Sequence, residues 1–381
     1  MLKRIFITAG EVSGDMLGAD LVRELKRCHP DAIIEGVAGP RMIAAGCTPL
    51  FPMDTLAVMG IAEVIRHLPS IFRLKRQLLK HCKINPPDIY IGVDAPDFNL
   101  RIEKSLKVRG IPTVHYNSPT VWAWREKRLN KIAKSTDLML TLFPFEEQFY
   151  RERKLNAAYV GHPMADAIPL AIDKVQGKLE LQLDSSRPVL AILPGSREKE
   201  IHYLANDFIL AAKQCLAAKP DLQLIVPLVN PKRRAQFEAI LQDTAPELPV
   251  TLYDGQARHV LIAADVALIA SGTATLEAML CKTPMVMAYR LAPLTYQIGK
   301  RLIKVDKFAL PNILAGRELV PEFIQDAVTI DALTEAVLAQ FHRTAECIVE
   351  FTQLHQQLQC DASVEAVKAV DDFYQTTLKT N

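Results

Sequence analysis

The chain has 381 residues, 49% of them apolar and 23% charged, with a formal net charge of +2. That length is more than one hydrophobic core usually serves and predicts two domains. The composition excludes a disordered chain, and the near-neutral charge excludes nucleic-acid binding over the whole surface, so any basic function must sit in a local patch. Seven dispersed cysteines (28, 47, 82, 215, 281, 347 and 360) form no Cys-x-x-Cys pair, which predicts reduced thiols and a cytoplasmic setting. No uncharged run reaches the ~18 residues of a membrane-spanning helix. The short apolar run ended by Glu11 reads as a strand, not as the core of a signal peptide.

In chain order, apolar runs of strand length alternate with helical patterns. Ile5–Ala9, Ile33–Val37, Ile89–Val93, Thr113–Tyr116, Leu138–Leu142 and Ala158–Val160 predict one series of strands. Val189–Leu193, Leu224–Val229, Val250–Tyr253, Val266–Ala270 and Met285–Ala288 predict a second. Alternating βα units build parallel, doubly wound sheets, so the expected fold is two Rossmann-like α/β domains facing a cleft. The polar stretch Ala171–Arg187 marks the junction, giving domains at 1–170 and 188–328. A helical tail over 329–381 is expected to pack back on the first domain or on a partner. Ligands of such sheets bind outside the carboxyl ends of the strands, and the informative motifs fall there.

Gly10-Glu11-Val12-Ser13-Gly14-Asp15 has glycines in neither the dinucleotide nor the Walker A spacing and reads as a polar loop before a helix at about 16–28, suited to hydroxyls or a phosphate. Asp94 ends a buried strand in Gly92-Val93-Asp94-Ala95-Pro96-Asp97. A partly desolvated carboxylate there has a raised pKa and can take a proton from an attacking hydroxyl; a structural carboxylate is the competing reading. Asp97 is the expected N-cap of the helix over 98–108. Both tryptophans, Trp122 and Trp124, lie beside Arg125, Lys127 and Arg128, either covering a cleft or packing in a core. Gly195-Ser196-Arg197 follows a strand and offers a guanidinium fork for phosphate oxygens. Ser271-Gly272-Thr273 runs from a strand into a helix whose exposed N–H groups suit phosphate, with Thr273 and Thr275 as further donors. Glu277 lies one residue too far from Thr273 for a capping box and is free to accept from ribose hydroxyls. No acidic residue falls between Glu63 and Asp88. Arg66, Arg73, Lys75 and Arg76 with Ile71 and Phe72 therefore predict a basic amphipathic helix for an anionic membrane surface, or else a core-packed helix with a basic face. No His-Glu-x-x-His, Cys/His cluster or Asp-x-Asp is present, so neither a metal nor a cofactor is expected.

Together the blocks Ala9–Asp15, Gly36–Met42, Leu56–Val64, Gly92–Asn99, Ser118–Arg128, Gly161–Pro169, Leu193–Arg197, Ser271–Leu280 and Pro311–Glu322 resemble lipid-A-disaccharide synthase, a family of inverting glycosyltransferases of the two-domain GT-B architecture. The resemblance implies that UDP-2,3-diacylglucosamine donates its sugar to the 6-hydroxyl of 2,3-diacylglucosamine 1-phosphate, forming a β-1,6-linked disaccharide and releasing UDP without a metal. It implies Asp94 as the base and Arg197, Gly272, Thr273 and Asn312 at the departing diphosphate. It places Glu277 at the ribose and Glu11, Ser13 and Asp15 at the acceptor. With acylated substrates, the basic stretch acquires a role in peripheral docking on the inner face of the cytoplasmic membrane; the oligomeric state, including a homo-oligomer, is open. Two rival readings are a UDP-N-acetylglucosamine 2-epimerase-like isomerase and a non-catalytic nucleotide-sugar sensor on a membrane surface.

Overall fold

The structure, a computed structural model, describes all residues except 57–60, 124–125, 293–295, 297–304 and 381, and leaves out the side chains of 54, 61–68, 126 and 380. It divides into two compact units, 1–166 with 358–381, and 167–357.

The first unit holds seven strands, Arg4–Ala9 (β1), Ile33–Ala38 (β2), Thr48–Pro52 (β3), Ile89–Val93 (β4), Thr113–Tyr116 (β5), Leu138–Thr141 (β6) and Ala157–Tyr159 (β7). They lie in the order β3-β2-β1-β4-β5-β6-β7, each pair parallel. The second unit holds Val189–Leu193 (β8), Gln223–Leu228 (β9), Val250–Asp254 (β10), Val266–Ala270 (β11), Met285–Tyr289 (β12) and Glu322–Ile324 (β13). Its order is β10-β9-β8-β11-β12-β13, again parallel. The central strands β4, β8 and β11 are buried at every position, which explains why they read as continuous apolar runs instead of alternating ones. Both sheets reverse strand order once, at β1/β4 and at β8/β11. Those reversals are where an open α/β sheet leaves a crevice at its carboxyl edge.

Two strands were not expected. β3 carries Pro49 and Pro52, and it pairs with β2 alone, so the missing N–H groups cost little at a sheet edge. β13 has three residues, too few for a periodic signal. Helix Val12–Cys28 begins four residues earlier than predicted, so Ser13, Gly14 and Asp15 form its first turn and are not part of a loop. Helix Ile61–Ile84 runs straight through Pro69. In the tail, Ile330–His342 packs in the second unit, whereas Ala362–Thr380 lies against helix Val12–Cys28 of the first, where the His29 ring bonds Asp371 at 2.9 Å. Asp166 fastens the entry to that last helix, accepting from the backbone N–H groups of Cys360, Asp361 and Ala362.

Candidate active site

In the first unit, the segments that follow β1 and β4 meet. Ala9 and Val93 are register partners, so Ser13 and Asp94 leave neighbouring strands, and the Ser13 hydroxyl donates to Asp94 Oδ2 at 3.0 Å. Asp94 and Ala95 both have positive φ, 54° and 43°, a conformation that Asp tolerates and Ala resists. The surroundings impose it. Buried Asn99 donates its Nδ2 to the carbonyl oxygens of Asp94 (2.8 Å), Val93 (3.2 Å) and Thr8 (3.3 Å) and accepts from the Tyr90 hydroxyl (3.1 Å). The Asp94 N–H donates to Tyr116 O at 2.9 Å. The carboxylate is thus presented, half-exposed, on a clamped backbone.

Not every predicted residue joins it. Glu11 is exposed at the N-cap position of its helix and makes no capping bond. Asp15 is buried, and its two oxygens accept from the N–H groups of Arg41 and Met42, each at 3.0 Å. Both of its oxygens are thus taken by the first turn of helix Pro40–Ala44, not left to face a ligand as expected. Asp97 does not cap its helix either. Pro96 starts that helix with Ala95 as the N-cap, and the exposed Asp97 pairs with Arg128 at 3.1 Å. Trp124 and Arg125 lie outside the described residues; the Trp122 Nε1–H donates to buried Glu146 at 3.1 Å, and burial raises that carboxyl to about 7.

Beside Asp94 lies a cavity of about 290 Å³ whose walls include Leu56, Ile71, Phe72, Ala95, Pro96 and Phe98, with Glu11, Asp97, Lys75 and Arg101 at its polar edge. Helix Ile61–Ile84 supplies one wall. Its Leu74, Leu78 and Cys82 are buried in the core, while Ile71 and Lys75 turn to the cavity and Phe72 is 51% exposed beside exposed Arg73 and Arg76. The amphipathic pattern is thus used mainly for packing, with its basic and aromatic remainder at the surface; the Arg66 side chain lies outside the described part. Burial, with the charge of Arg101 second, lowers the pKa of Lys75. Arg101 and Asn99 had no distinguishing signal in the sequence beyond following Asp94.

In the second unit, the turns after β8 and β11 leave adjacent strands, about 5 Å apart. Gly272 has φ 136° and ψ −163°, accessible to glycine alone, and no side chain caps helix Thr273–Leu280. The N–H groups of Gly272, Thr273 and Ala274 have no partner among the described residues, and Gly272 and Thr273 are exposed. Ser271 donates its N–H to Ala288 O, and Thr275 is not the free donor expected. It is buried, with its hydroxyl donating to Gly272 O (2.8 Å) and accepting from Leu310 N–H (3.1 Å). The other turn is already occupied by its own chain. Glu200 Oε2 accepts from the N–H groups of Ser196 (2.9 Å) and Arg197 (3.1 Å), and a Cβ on Gly195 would come within 2.5 Å of Glu200. What remains there for an anion is the Arg197 guanidinium, 81% exposed and tethered to Glu200 Oε1 at 3.1 Å. Glu277 Oε1 accepts from Arg258 Nε at 3.1 Å, a partner the sequence did not reveal, leaving Oε2 without one among the described residues. Asn312 departs from expectation. It is buried and saturated, donating to Val320 O and Glu322 and accepting from the N–H groups of Leu319 and Val320. It shapes the loop before β13 instead of offering its amide to a diphosphate.

The fold matches UDP-GlcNAc 2-epimerase from Neisseria meningitidis bound to UDP-GlcNAc, with TM-score 0.63 at 12% identity over 97% of this chain and 99% of that one. It also matches a spinosyn rhamnosyltransferase complexed with thymidine diphosphate, with TM-score 0.57 at 13% identity over 97% and 100%. These likenesses define the architecture as that shared by GT-B glycosyltransferases and the 2-epimerases. The sequence comparisons narrow the class. The lipid-A-disaccharide synthetase family model matches residues 5–370. The chain is 51% identical to the lipid-A-disaccharide synthase of Alteromonas mediterranea over 371 residues, covering 96% of this chain and 97% of that one. It is 48% identical to that of Haemophilus influenzae strain PittEE over 380 residues, covering 98% and 97%. The chain belongs to the lipid-A-disaccharide synthase family, glycosyltransferases of lipid A biosynthesis, and the epimerase likeness is one of fold.

Proposed function

We propose that the enzyme transfers the sugar of UDP-2,3-diacylglucosamine to the 6-hydroxyl of 2,3-diacylglucosamine 1-phosphate by a single in-line displacement with inversion. The bond from the acceptor O6 to the donor's anomeric carbon forms as the bond to the diphosphate oxygen breaks. The O6 proton passes to Asp94, and UDP departs with the bonding electron pair. The observation that carries this reading is the clamped Asp94 loop, a carboxylate held at a strand-order reversal beside an apolar cavity. The unpartnered N–H groups at Gly272–Ala274 and the Arg197 guanidinium supply positive charge to the diphosphate. Glu277 holds the ribose through its remaining oxygen, and Ser13 orients Asp94.

Among the described residues no helix is long and apolar enough to cross a membrane. We assign peripheral attachment on the inner face of the cytoplasmic membrane to the exposed Phe72, Arg73 and Arg76, through apolar insertion and attraction to anionic headgroups. The test of the reaction is UDP release in mixed micelles containing EDTA, with and without the diacylated 1-phosphate acceptor. Release that requires the acceptor and survives EDTA is expected. Release without acceptor would indicate hydrolysis or isomerisation and overturn the reading.

A further inference from the structure

The cavity beside Asp94 has a charge pattern that sugar transfer by itself does not require. Lys75 comes from helix Ile61–Ile84 and Arg101 from helix Pro96–Lys107, and both line the same cavity. Neither is paired with a carboxylate among the described residues. Of the two acids on the same lining, Asp97 pairs with Arg128 at 3.1 Å, and Glu11 makes no capping bond to its helix. Two helices thus bring Lys75 and Arg101, each without a carboxylate partner among the described residues, to a lining that also holds the acids Glu11 and Asp97, next to apolar walls from Leu56, Ile71, Phe72 and Phe98. Like charges gathered this way favour a bound anion, and phosphate oxygens form the strongest hydrogen bonds with such donors.

We propose that Lys75 and Arg101 are the subsite that binds the phosphate monoester of the acceptor, with one of its acyl chains against the apolar walls of the same cavity. This rests on the reading that the acceptor binds the first unit at Asp94. Ala95 and Pro96 line the cavity and directly follow Asp94, so one sugar reaches the base and the cationic edge together. The phosphate fixes which end of the acceptor points toward Asp94, and the subsite therefore selects phosphorylated over unphosphorylated acceptor. The competing source of the same chemistry is an anionic lipid headgroup.

The experiment compares kcat/KM for 2,3-diacylglucosamine 1-phosphate and for the same diacylated sugar without phosphate, in uncharged detergent micelles. It uses the full-length wild type, Lys75→Gln, Arg101→Gln and Lys75→Arg. The wild type is expected to prefer the phosphorylated acceptor, and each Gln variant to lower that preference by about ten- to a hundredfold, the loss of a hydrogen bond to a charged group. Lys75→Arg should keep most of the preference. A general structural defect lowers both rates and leaves their ratio intact, so an unchanged ratio in the Gln variants overturns the subsite. In a second arm, vesicles of phosphatidylcholine alone are compared with vesicles containing phosphatidylglycerol. Loss of binding only to the anionic vesicles, with the acceptor ratio intact, would assign the cations to headgroups and overturn the proposal. Absence of acceptor-dependent UDP release from the wild type would instead overturn the reading of the reaction itself.

Discussion

Replacing Asn99 by alanine separates the clamp on Asp94 from Asp94 itself. Asn99 is buried and makes four hydrogen bonds, three of them to carbonyl oxygens around the strained Asp94–Ala95 turn. A buried polar group left without a partner costs about 1–3 kcal/mol. The carbonyls of Thr8 and Val93 lie on strands, and water can enter the vacated space, so the net loss is expected at about 2–4 kcal/mol. At roughly 2–4 °C per kcal/mol for a unit of this size, Tm should fall by about 5–15 °C. The functional effect is distinct. Without the bond to the Asp94 carbonyl, the turn can relax from its positive φ, and a displacement of about 1 Å at a reacting group costs roughly 100-fold in rate. Asn99→Ala should therefore lower kcat by about that factor below its own melting range, with KM for the UDP-sugar unchanged because the donor turns lie in the other unit. Differential scanning fluorimetry and UDP-release kinetics at a temperature well below Tm check both. A destabilised variant with wild-type kcat would refute the claim that the clamp sets the catalytic geometry.

Glu146→Gln tests a pH dependence. Burial raises this carboxyl from 4.5 to about 7, so between those values the folded chain holds a proton that the unfolded chain has released. That stability is complete below the unfolded value and is lost as pH rises through the folded one. Relative to the Gln variant, the wild type should lose about 2–3 kcal/mol between pH 4.5 and pH 7, read from denaturant midpoints; parallel curves would contradict it. Gly272→Ala meets no steric obstacle but forces alanine into φ 136°, at about 1–3 kcal/mol. It should raise KM for the donor about tenfold while leaving acceptor KM alone, and an unchanged donor KM would remove the Gly272 turn from the diphosphate site. Arg73→Glu with Arg76→Glu should weaken binding to anionic vesicles at least about tenfold by co-sedimentation; unchanged binding would refute the docking surface.

The alternation of apolar runs and helical patterns was enough to read two parallel sheets and to place the candidate motifs at strand ends, because buried parallel strands leave an unbroken apolar signature. β3 escaped because its prolines oppose a strand assignment except at an edge, and edge position is a property of the whole sheet. The motif blocks also concealed which polar residues are already occupied. Asp15 is saturated by N–H groups of Arg41 and Met42, Asn312 by the backbone around Val320, and Thr275 by Gly272 and Leu310. Arg41, Met42 and Leu310 are brought from distant parts of the chain, while Gly272, Leu319 and Val320 lie within the same blocks but become partners only once the local turns are formed. Glu200, by contrast, stands three residues after Arg197 in capping-box spacing, and that spacing was a signal that the Ser196–Arg197 N–H groups were taken.

The central claim is that Asp94 takes the acceptor's proton. Asn is as much at ease as Asp in the left-handed conformation, and its carbonyl can still accept from Ser13, so Asp94→Asn should retain the fold. The measurement is kcat for acceptor-dependent UDP release by this variant, with its Tm taken alongside. A fall of about 10²–10⁴ at nearly unchanged Tm and donor KM is the predicted result. Wild-type turnover by a folded Asp94→Asn enzyme would contradict the account and move the base elsewhere.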